Sequence, residues 1–583
     1  MDEQLRCGWE SDFPTFKETS AQKIKESLET FVAKPGKEQI RAWSDSIPPL
    51  QQEVKEILKN LEYAKGYSTI MEYELPMESR RPDVILLTNG YVIVLELKGK
   101  KYPSQADLDQ AAAYARDLRC YHRECENRPV IAVCMPMLAR GYIDEQDGIH
   151  IIGPDVLDSF VVSQPDHKSA APLSRNAFLD ESAYRPLPTL VKAARELFRD
   201  KELRTIKRAA AATDPAVQEI TRIIHEAAET KSRRLILLTG IPGAGKTLVG
   251  LRIAHAHFLD DLSIPRDDGR PTAPAVFLSG NGPLVEVLQY ELKGAGGGGR
   301  TFVRGVKEYV KSYSRNLNKI PPEHVLIFDE AQRAFDAEQV MAKHEPVPGL
   351  TIGKSEPEHF VEFSERIPQW CVVIGLIGSG QEIHIGEEAG IEQWCKAIIG
   401  AKNSSSWQVH CPPAVRPAFE SIAPQLKVSE SLSLNKEIRF HLSEKIHQFV
   451  DGLLGNSDFL ECAEIAKNLE RSGYHLRITN DLEVAKEYLR ERYSEHKEAR
   501  YGMVASSKDK MLLEYGVKND FQSTKQVKYG PWYSDDEVAL GGHSCRNLKS
   551  CVTEFGAQGL ELDATLLGWG TDFIRKDGRS VLS

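Results

Sequence analysis

The stretch that most constrains this chain is Leu235–Gly250, which reads Leu-Ile-Leu-Leu-Thr-Gly-Ile-Pro-Gly-Ala-Gly-Lys-Thr-Leu-Val-Gly. Gly240, Gly245, Lys246 and Thr247 complete the pattern Gly-x-x-x-x-Gly-Lys-[Ser/Thr], with Gly243 as a further glycine inside it. The apolar run before the pattern predicts a buried strand. The segment after it, Leu248–His257, predicts a helix. Strand, glycine-rich turn and helix N-terminus in that order make a cradle for phosphate. The glycines let backbone N–H groups curl around the anion, Lys246 brings a point charge to the β- and γ-phosphates, and Thr247 offers a hydroxyl to Mg2+. ATP and Mg2+ are therefore the expected ligands.

A chain of 583 residues has room for roughly two to four domains. Its net charge of −10 shows no global basic excess, so a nucleic-acid surface has to be local. The N-terminus lacks an apolar signal region, and no run reaches the roughly eighteen apolar residues of a membrane span. A cytoplasmic location without a membrane partner is expected. The 10 cysteines form no Cys-x-x-Cys pair, which suits a reducing compartment. Cys120, Cys125 and Cys134, with Cys7 upstream, are too loosely spaced for an iron–sulfur set. Cys545 and Cys551 near His543 lack a second cysteine pair for zinc. All are read as ordinary thiols.

In the N-terminal third, Thr15–Ala64 carries helical periodicity with few breakers until Pro48-Pro49. Strand-like runs follow at Thr69–Leu75, Asp83–Leu87 and Tyr91–Leu97, then a helix at Gln105–Leu118 and a strand at Val130–Met135. Asp83 opens the second strand, and Glu96-Leu97-Lys98 closes the third. Residues two apart in a strand share a face, so Glu96 and Lys98 point the same way and Asp83 can meet them from the neighbouring strand. Two carboxylates and a lysine on one sheet face suit a Mg2+ site with a cation beside it, able to activate water and stabilise charge on a phosphodiester. This arrangement resembles the PD-(D/E)xK nuclease superfamily. Gln110 and Tyr114 on the following helix match the Gln-x-x-x-Tyr signature of its RecB-like branch. That resemblance implies a further carboxylate from the preceding helix. Glu53 is the candidate, with Glu56 as an alternative and Glu72 and Glu74 on the first strand behind it.

Gln164–Arg185 is rich in Pro, Ser and Ala and predicts a linker. Leu187–Ala212, with many Lys and Arg, predicts a solvated connector helix, the alternatives being a lever between domains or a basic nucleic-acid contact. Beyond the phosphate loop, Ala275–Leu278 predicts a strand ending in Ser279-Gly-Asn-Gly. Lys307–Arg315 is basic with Tyr309 and Tyr313 interleaved, either to track a nucleic-acid strand or as an amphipathic helix. Val325–Phe328 delivers Asp329 and Glu330 at a strand end, the Walker B arrangement. Asp329 is suited to hold Mg2+ through water and Glu330 to polarise the attacking water. A strand at Val372–Leu376 leads to Gln381.

Asp329-Glu330-Ala331-Gln332, after the strand Val325–Phe328, resembles superfamily 1 helicases. The resemblance implies an adenine-reading role for Gln218, a γ-phosphate sensor in Gln381, and an arginine facing the γ-phosphate in Arg439. In Val552–Asp563, which resembles motif V, it implies that Gln558 and Gly559 approach the nucleotide, Glu561 contacts the ribose, and Thr553 lies near the nucleic acid. Ser279–Leu284 resembles motif Ia, where a strand end touches the nucleic-acid backbone. From the basic connector to Gly570, including Tyr529-Gly-Pro-Trp532 and Leu567-Gly-Trp-Gly570, the chain resembles the bacterial DNA/RNA helicase domains related to the Schlafen proteins. No stretch resembling motif VI follows before Ser583, so the second lobe is expected to be incomplete here, either because the sequence is truncated or because this is a short form with weakened hydrolysis.

The expected fold class is α/β: a restriction-endonuclease-like domain at 1–163, a linker and connector helix at 164–212, a first RecA-like lobe at 213–425 and a second at 426–583. The expected function is an ATP-dependent nuclease and helicase or translocase on DNA, in anti-phage defence or repair. The alternatives are an ATP-gated nuclease that does not translocate, or an enzyme directed at RNA.

Overall fold

β-branched runs on either side of the Thr88-Asn-Gly90 turn build the centre of the first sheet. In the computed structural model, residues 6–32, 35–75, 80–164, 172–180, 182–184, 189–200, 207–240, 244–255, 257–262, 274–294, 302–314, 316, 318–334, 353–378, 388–434, 443–455, 458–576 and 579–582 are described. The chain divides into two units. One comprises Met1–Pro186, His441–Asp520 and Leu562–Ser583, and the other Leu187–Phe440 and Phe521–Glu561. Residues 426–583, expected as one second lobe, are therefore shared between the two. Local periodicity identifies strands and helices, but which core each one buries is decided by long-range packing.

The first unit opens with β1 (Trp9–Asp12), α1 (Phe13–Glu18), α2 (Ala21–Phe31) and α3 (Lys37–Asn60). Strands β2 (Ser68–Met71), β3 (Val84–Leu87) and β4 (Val92–Lys98), helix α4 (Gln105–Tyr121) and β5 (Val130–Pro136) follow as expected. Strands β6 (Ile143–Gln146) and β7 (Ile149–Ile152) and helix α5 (Leu157–Ser163) complete the sequence. The sheet order is β1-β2-β3-β4-β5-β7-β6. β3 and β4 are antiparallel with Val84 opposite Leu95, and β4 and β5 are parallel. Alternation sorts the side chains. Val84, Leu86, Ile93 and Leu95 pack with α1–α3, and Ile85, Leu87, Val92 and Val94 pack with α4.

Helix α3 runs through Pro48 and Pro49 rather than stopping there. Trp43, Ile47, Leu50, Val54 and Ile57 lie buried along one face of it. Each such side chain contributes about 1.5–3 kcal/mol, which offsets the cost of about 3 kcal/mol for an interior proline. The expected linker is also partly structured. Leu173 N donates to Thr88 O, Asn89 bridges to Pro172, and Phe178 is fully buried against His122.

The remainder of the first unit includes the helices Ser443–Leu454, Phe459–Arg471 and Leu482–Arg492 and the parallel strands Tyr501–Ala505 and Ala564–Gly568. Residues 473–496 bind α4. Asp109, with no side-chain exposure, takes two bonds from Arg477, Nε to Oδ2 at 2.9 Å and Nη2 to Oδ1 at 2.6 Å. Tyr488 Oη also donates to it. Burial alone would raise the Asp109 pKa, but the Arg477 and Tyr488 bonds outweigh it and hold the carboxyl below its ordinary value. Gly473, at φ +86°, lets the chain pass close to α4, since a Cβ there would lie 2.9 Å from Arg116 Cβ and 3.0 Å from Ala112 O.

The second unit is built on a parallel sheet, ordered β10-β9-β11-β12-β8-β13-β14, with β15 also pairing β8. The strands are β8 (Arg233–Gly240), β9 (Ala275–Ser279), β10 (Val303–Gly305), β11 (Val325–Phe328), β12 (Cys371–Gly378), β13 (Trp407–Cys411), β14 (Leu426–Val428) and β15 (Ser433–Leu434). Near-continuous apolar strands covered on both faces explain this parallel arrangement. The helix Leu190–Asp200 is tied to this unit by Arg195, whose Nε and Nη2 donate to Glu291 at 2.7 and 2.6 Å, so it is not a purely solvated connector. Tyr309 and Tyr313 sit in the core on the helix Val306–Ser314, so the amphipathic-helix reading of that basic stretch holds.

Arg477→Ala would leave the buried Asp109 carboxylate without its cation. It is expected to lower the stability of the first unit by about 3 kcal/mol, discounted from the upper range because Arg477 is partly exposed. The shift in the urea midpoint of the full chain measures this, and an unchanged midpoint would refute the clamp.

Candidate active sites

In the first unit the antiparallel register of β3 and β4 brings Asp83 beside Glu96, on the face that α4 covers. Asp83 Oδ2 accepts the Leu97 N–H at 2.7 Å. Lys98 Nζ donates to Glu96 Oε1 at 3.0 Å and to Gln110 Oε1 at 3.1 Å. Three expected residues, Glu96, Lys98 and Gln110, thus form one hydrogen-bonded chain. Glu96 is only 1% exposed, and its Oε2 has no hydrogen-bond partner. Tyr114 is buried one helical turn beyond Gln110, with its Oη 3.3 Å from His496 Nε2.

The electrostatics follow from crowding carboxylates in a poorly solvated place. Burial, then Glu96, pushes the Asp83 pKa well above the ordinary carboxyl range. Burial pushes Glu96 to about 7, against the pull of Lys98. Burial opposes the charge on Lys98, but Glu96, Glu495 and Asp83 outweigh it and raise its pKa, so the ammonium stays charged.

Glu53 does not join this group. It lies on α3, the helix packed on the opposite sheet face, and its Oε2 accepts the Asp158 N–H at 3.0 Å. Burial, with Asp158 and Asp155 nearby, pushes its pKa to about 7. Glu56 instead pairs with Lys59 at 2.8 Å. The carboxylate that does approach is Glu72, just past β2 in the left-handed region at φ 52°. It accepts from Trp43 Nε1 at 2.8 Å and Arg81 Nε at 3.0 Å. Its charge acts on Asp83 and Glu96, a placement no sequence periodicity records.

In the second unit β8 leads into the phosphate loop, and β11 and β12 end beside it. Gly245 adopts φ +90°, as a tight anion-cradling turn requires. Lys246 Nζ donates to Gly240 O at 2.7 Å, and Thr247 Oγ1 donates to Asp329 Oδ1 at 3.4 Å. The phosphate loop and the Walker B carboxylate therefore meet as expected. Burial, then the adjacent Glu330, pushes the Asp329 pKa to about 7, while Lys246 and Thr247 pull against it. Glu330 is left-handed at φ 55°. Such a conformation costs about 1–3 kcal/mol in a non-glycine residue and clusters at functional sites.

Gln332, which carried no expected role, holds this arrangement. Its Nε2 donates to Glu330 Oε2, and its Oε1 accepts the Gly378 N–H at the end of β12 at 3.0 Å. Its place as the last residue of Asp-Glu-Ala-Gln was the available signal.

The remaining expected nucleotide contacts divide. Gly243, Gln381 and Arg439 lie outside the described residues. Gln218 is exposed on the helix Lys207–Glu229. Asn281 Nδ2 donates to Gln558 O at 2.6 Å, and a Cβ on Gly559 would lie 2.6 Å from the same Nδ2. The stretches that resemble motifs Ia and V are thus joined through Asn281, another residue without an expected role. Glu561 Oε2 accepts the Leu190 N–H at 3.1 Å. Thr553 is buried.

Among the described residues no helix is long and apolar enough to cross a membrane. No curated protein matches this chain. Among solved structures it is similar to the Pif1 of a Bacteroides species in complex with ADP-AlF4, at 14% identity over 51% of this chain and 54% of that chain. The chain spans about half the length of that relative, and the TM-score of 0.19 marks a loose superposition. Residues 233–583 match the family described as Schlafen group 3, DNA/RNA helicase domain, which covers the phosphate loop, Asp329, Glu330 and the Gln558–Glu561 stretch. With more than half its length in that match, the chain belongs to the Schlafen group 3 helicase-domain family.

Proposed function

We propose that this chain is an ATP-driven nucleic-acid enzyme, with an ATPase motor in the second unit and a Mg2+-dependent nuclease in the first. The observation that carries the nuclease half is Glu96 Oε2, a buried carboxylate oxygen without a hydrogen-bond partner, set beside Asp83 and Lys98. Among the described residues no three His, Cys, Asp or Glu side chains are already gathered as a metal site. Mg2+ does not need three. It is commonly bound through one or two carboxylates, with waters and phosphate oxygens completing its shell. Asp83 and Glu96 fit that requirement. An ion held there would supply Lewis acidity and an activated water. Lys98, positioned by Gln110, stabilises charge growing on the phosphodiester oxygens.

In the second unit Lys246 takes the β- and γ-phosphates, and Thr247 and Asp329 are the residues that would hold Mg2+. Glu330 orients the attacking water, and Gln332 fixes Glu330 to the end of β12. DNA is the proposed substrate, in defence or repair. A second reading, ATP gating of the nuclease without translocation, is favoured by the chain path. The first unit is assembled from three segments separated by stretches of the second, so a change in either has covalent routes to the other.

Asp83→Asn and Lys98→Ala are each expected to slow Mg2+-dependent DNA cutting by about a hundredfold or more while leaving ATP hydrolysis intact. Wild-type cutting by both variants would sink the nuclease site. Matched RNA oligonucleotides in the same assay decide the substrate class. Cutting supported by a non-hydrolysable ATP analogue, without strand displacement, selects the gating reading.

Lys246→Ala is expected to abolish nucleotide binding. Gln332→Ala should bind nucleotide normally but hydrolyse it about tenfold more slowly, the worth of one lost positioning hydrogen bond. Measuring kcat and nucleotide affinity separately tests this, and a loss of affinity with unchanged kcat would contradict the role given to Gln332.

A further inference from the structure

Glu495 belongs to none of the motifs above, yet the fold brings it to the carboxylates of the first sheet. It follows the helix Leu482–Arg492 in the segment that clamps α4 through Asp109. The same segment is fastened at two more places on this side. Lys100 Nζ donates to both Asp107 Oδ2 at 2.8 Å and Glu491 Oε1 at 2.6 Å. Arg116 Nη1 donates to Gly473 O at 3.2 Å, and its guanidinium lies over the Tyr474 ring at 4.7 Å. At the end of the segment, His496 is buried against Tyr114. Glu495, one residue earlier, is exposed, and its Oε2 lies 3.5 Å from Gln110 Nε2. The other end of the Gln110 amide accepts from Lys98. The Glu495 charge acts on Asp83, Glu96, Glu72 and Lys98 alike.

The charges at this place do not balance. Glu72 is occupied by Trp43 and Arg81. Asp83, Glu96 and Glu495 remain around one ammonium, Lys98, so two negative charges are uncompensated when all are ionised. Glu96 Oε2, buried among them, has no partner. Carboxylates that share one ammonium repel one another, and a divalent cation relieves both the repulsion and the unpartnered oxygen. Glu53, the residue expected to complete the set, is on the other sheet face and taken by Asp158. The solvent-facing side of the group is where Glu495 stands.

We propose that Glu495 is a cation-binding carboxylate of the Asp83–Glu96 site, reaching the ion through its waters rather than as a third gathered ligand, so that a segment lying between two stretches of the second unit completes the divalent-ion site of the first. The inference rests on the nuclease reading of Asp83, Glu96 and Lys98. It assigns the residues of the clamp, Asp109 and Arg477, a positioning role for Glu495.

Mn2+ binding to the full-length, nucleotide-free protein, followed by titration calorimetry and by the paramagnetic resonance of free Mn2+, tests the assignment without relying on cutting. Wild type, Glu495→Gln and Asp83→Asn are compared. The difference between wild type and Asp83→Asn isolates this site from the Thr247–Asp329 pair. Asp83→Asn is expected to lose the site, and Glu495→Gln to bind about tenfold more weakly. Glu495 is exposed, so the metal-free melting temperature of its variant should match wild type. If Asp83→Asn loses the site while Glu495→Gln binds as wild type or more tightly, Glu495 is not a ligand and the proposal falls alone. If Asp83→Asn also binds as wild type, the nuclease reading falls with it.

Discussion

The first unit depends on a carboxylate that has no contact with water. Asp109, on the helix that covers the candidate nuclease face, is held by both arms of Arg477 and by Tyr488. A buried charge without partners is strongly destabilising, so neither half of this contact is tolerable alone. One turn of α4 therefore settles two matters. It presents Gln110 to Lys98 beside the carboxylates on β3 and β4, and through Asp109 it captures a segment from far along the chain. Specificity of assembly is the main product of such a pair, since its net contribution to stability is reduced by the desolvation of both charges.

The two candidate sites share one physical design. In each, a strand end delivers a buried carboxylate next to a second one, with a lysine within reach: Asp83 and Glu96 with Lys98, and Asp329 and Glu330 with Lys246. Burial, with a neighbouring carboxylate, raises the pKa of Asp83 in one site and of Asp329 in the other. Both also use a glutamine as a strut. Gln110 holds Lys98, and Gln332 ties the left-handed Glu330 to the end of β12. An amide suits that task because it can accept at one end and donate at the other without adding charge.

Much of this was readable in the chain itself. The strand-turn-helix around Gly245, the Asp329-Glu330 strand end, and the pairing of Asp83 with Glu96 and Lys98 all follow from alternation and apolar runs, which are local properties. Glu53 was misplaced because helical periodicity says which residues share a face, but not which side of a sheet the helix covers. Glu72 and Glu330 adopt left-handed backbone, which no local pattern in the chain announces. Asn281 and Gln332 matter through contacts that only folding creates.

The sequence by itself determined a strand, glycine-rich turn and helix around Gly240–Thr247 and a two-carboxylate strand pair with a lysine, because apolar runs, turn residues and strand alternation are local properties of the chain. Only the tertiary structure decided that residues 441–520 pack with the N-terminal sheet and bring Glu495 beside Gln110. That choice is made by Asp109, a buried charge whose partners lie hundreds of residues away, a distance over which no periodicity speaks.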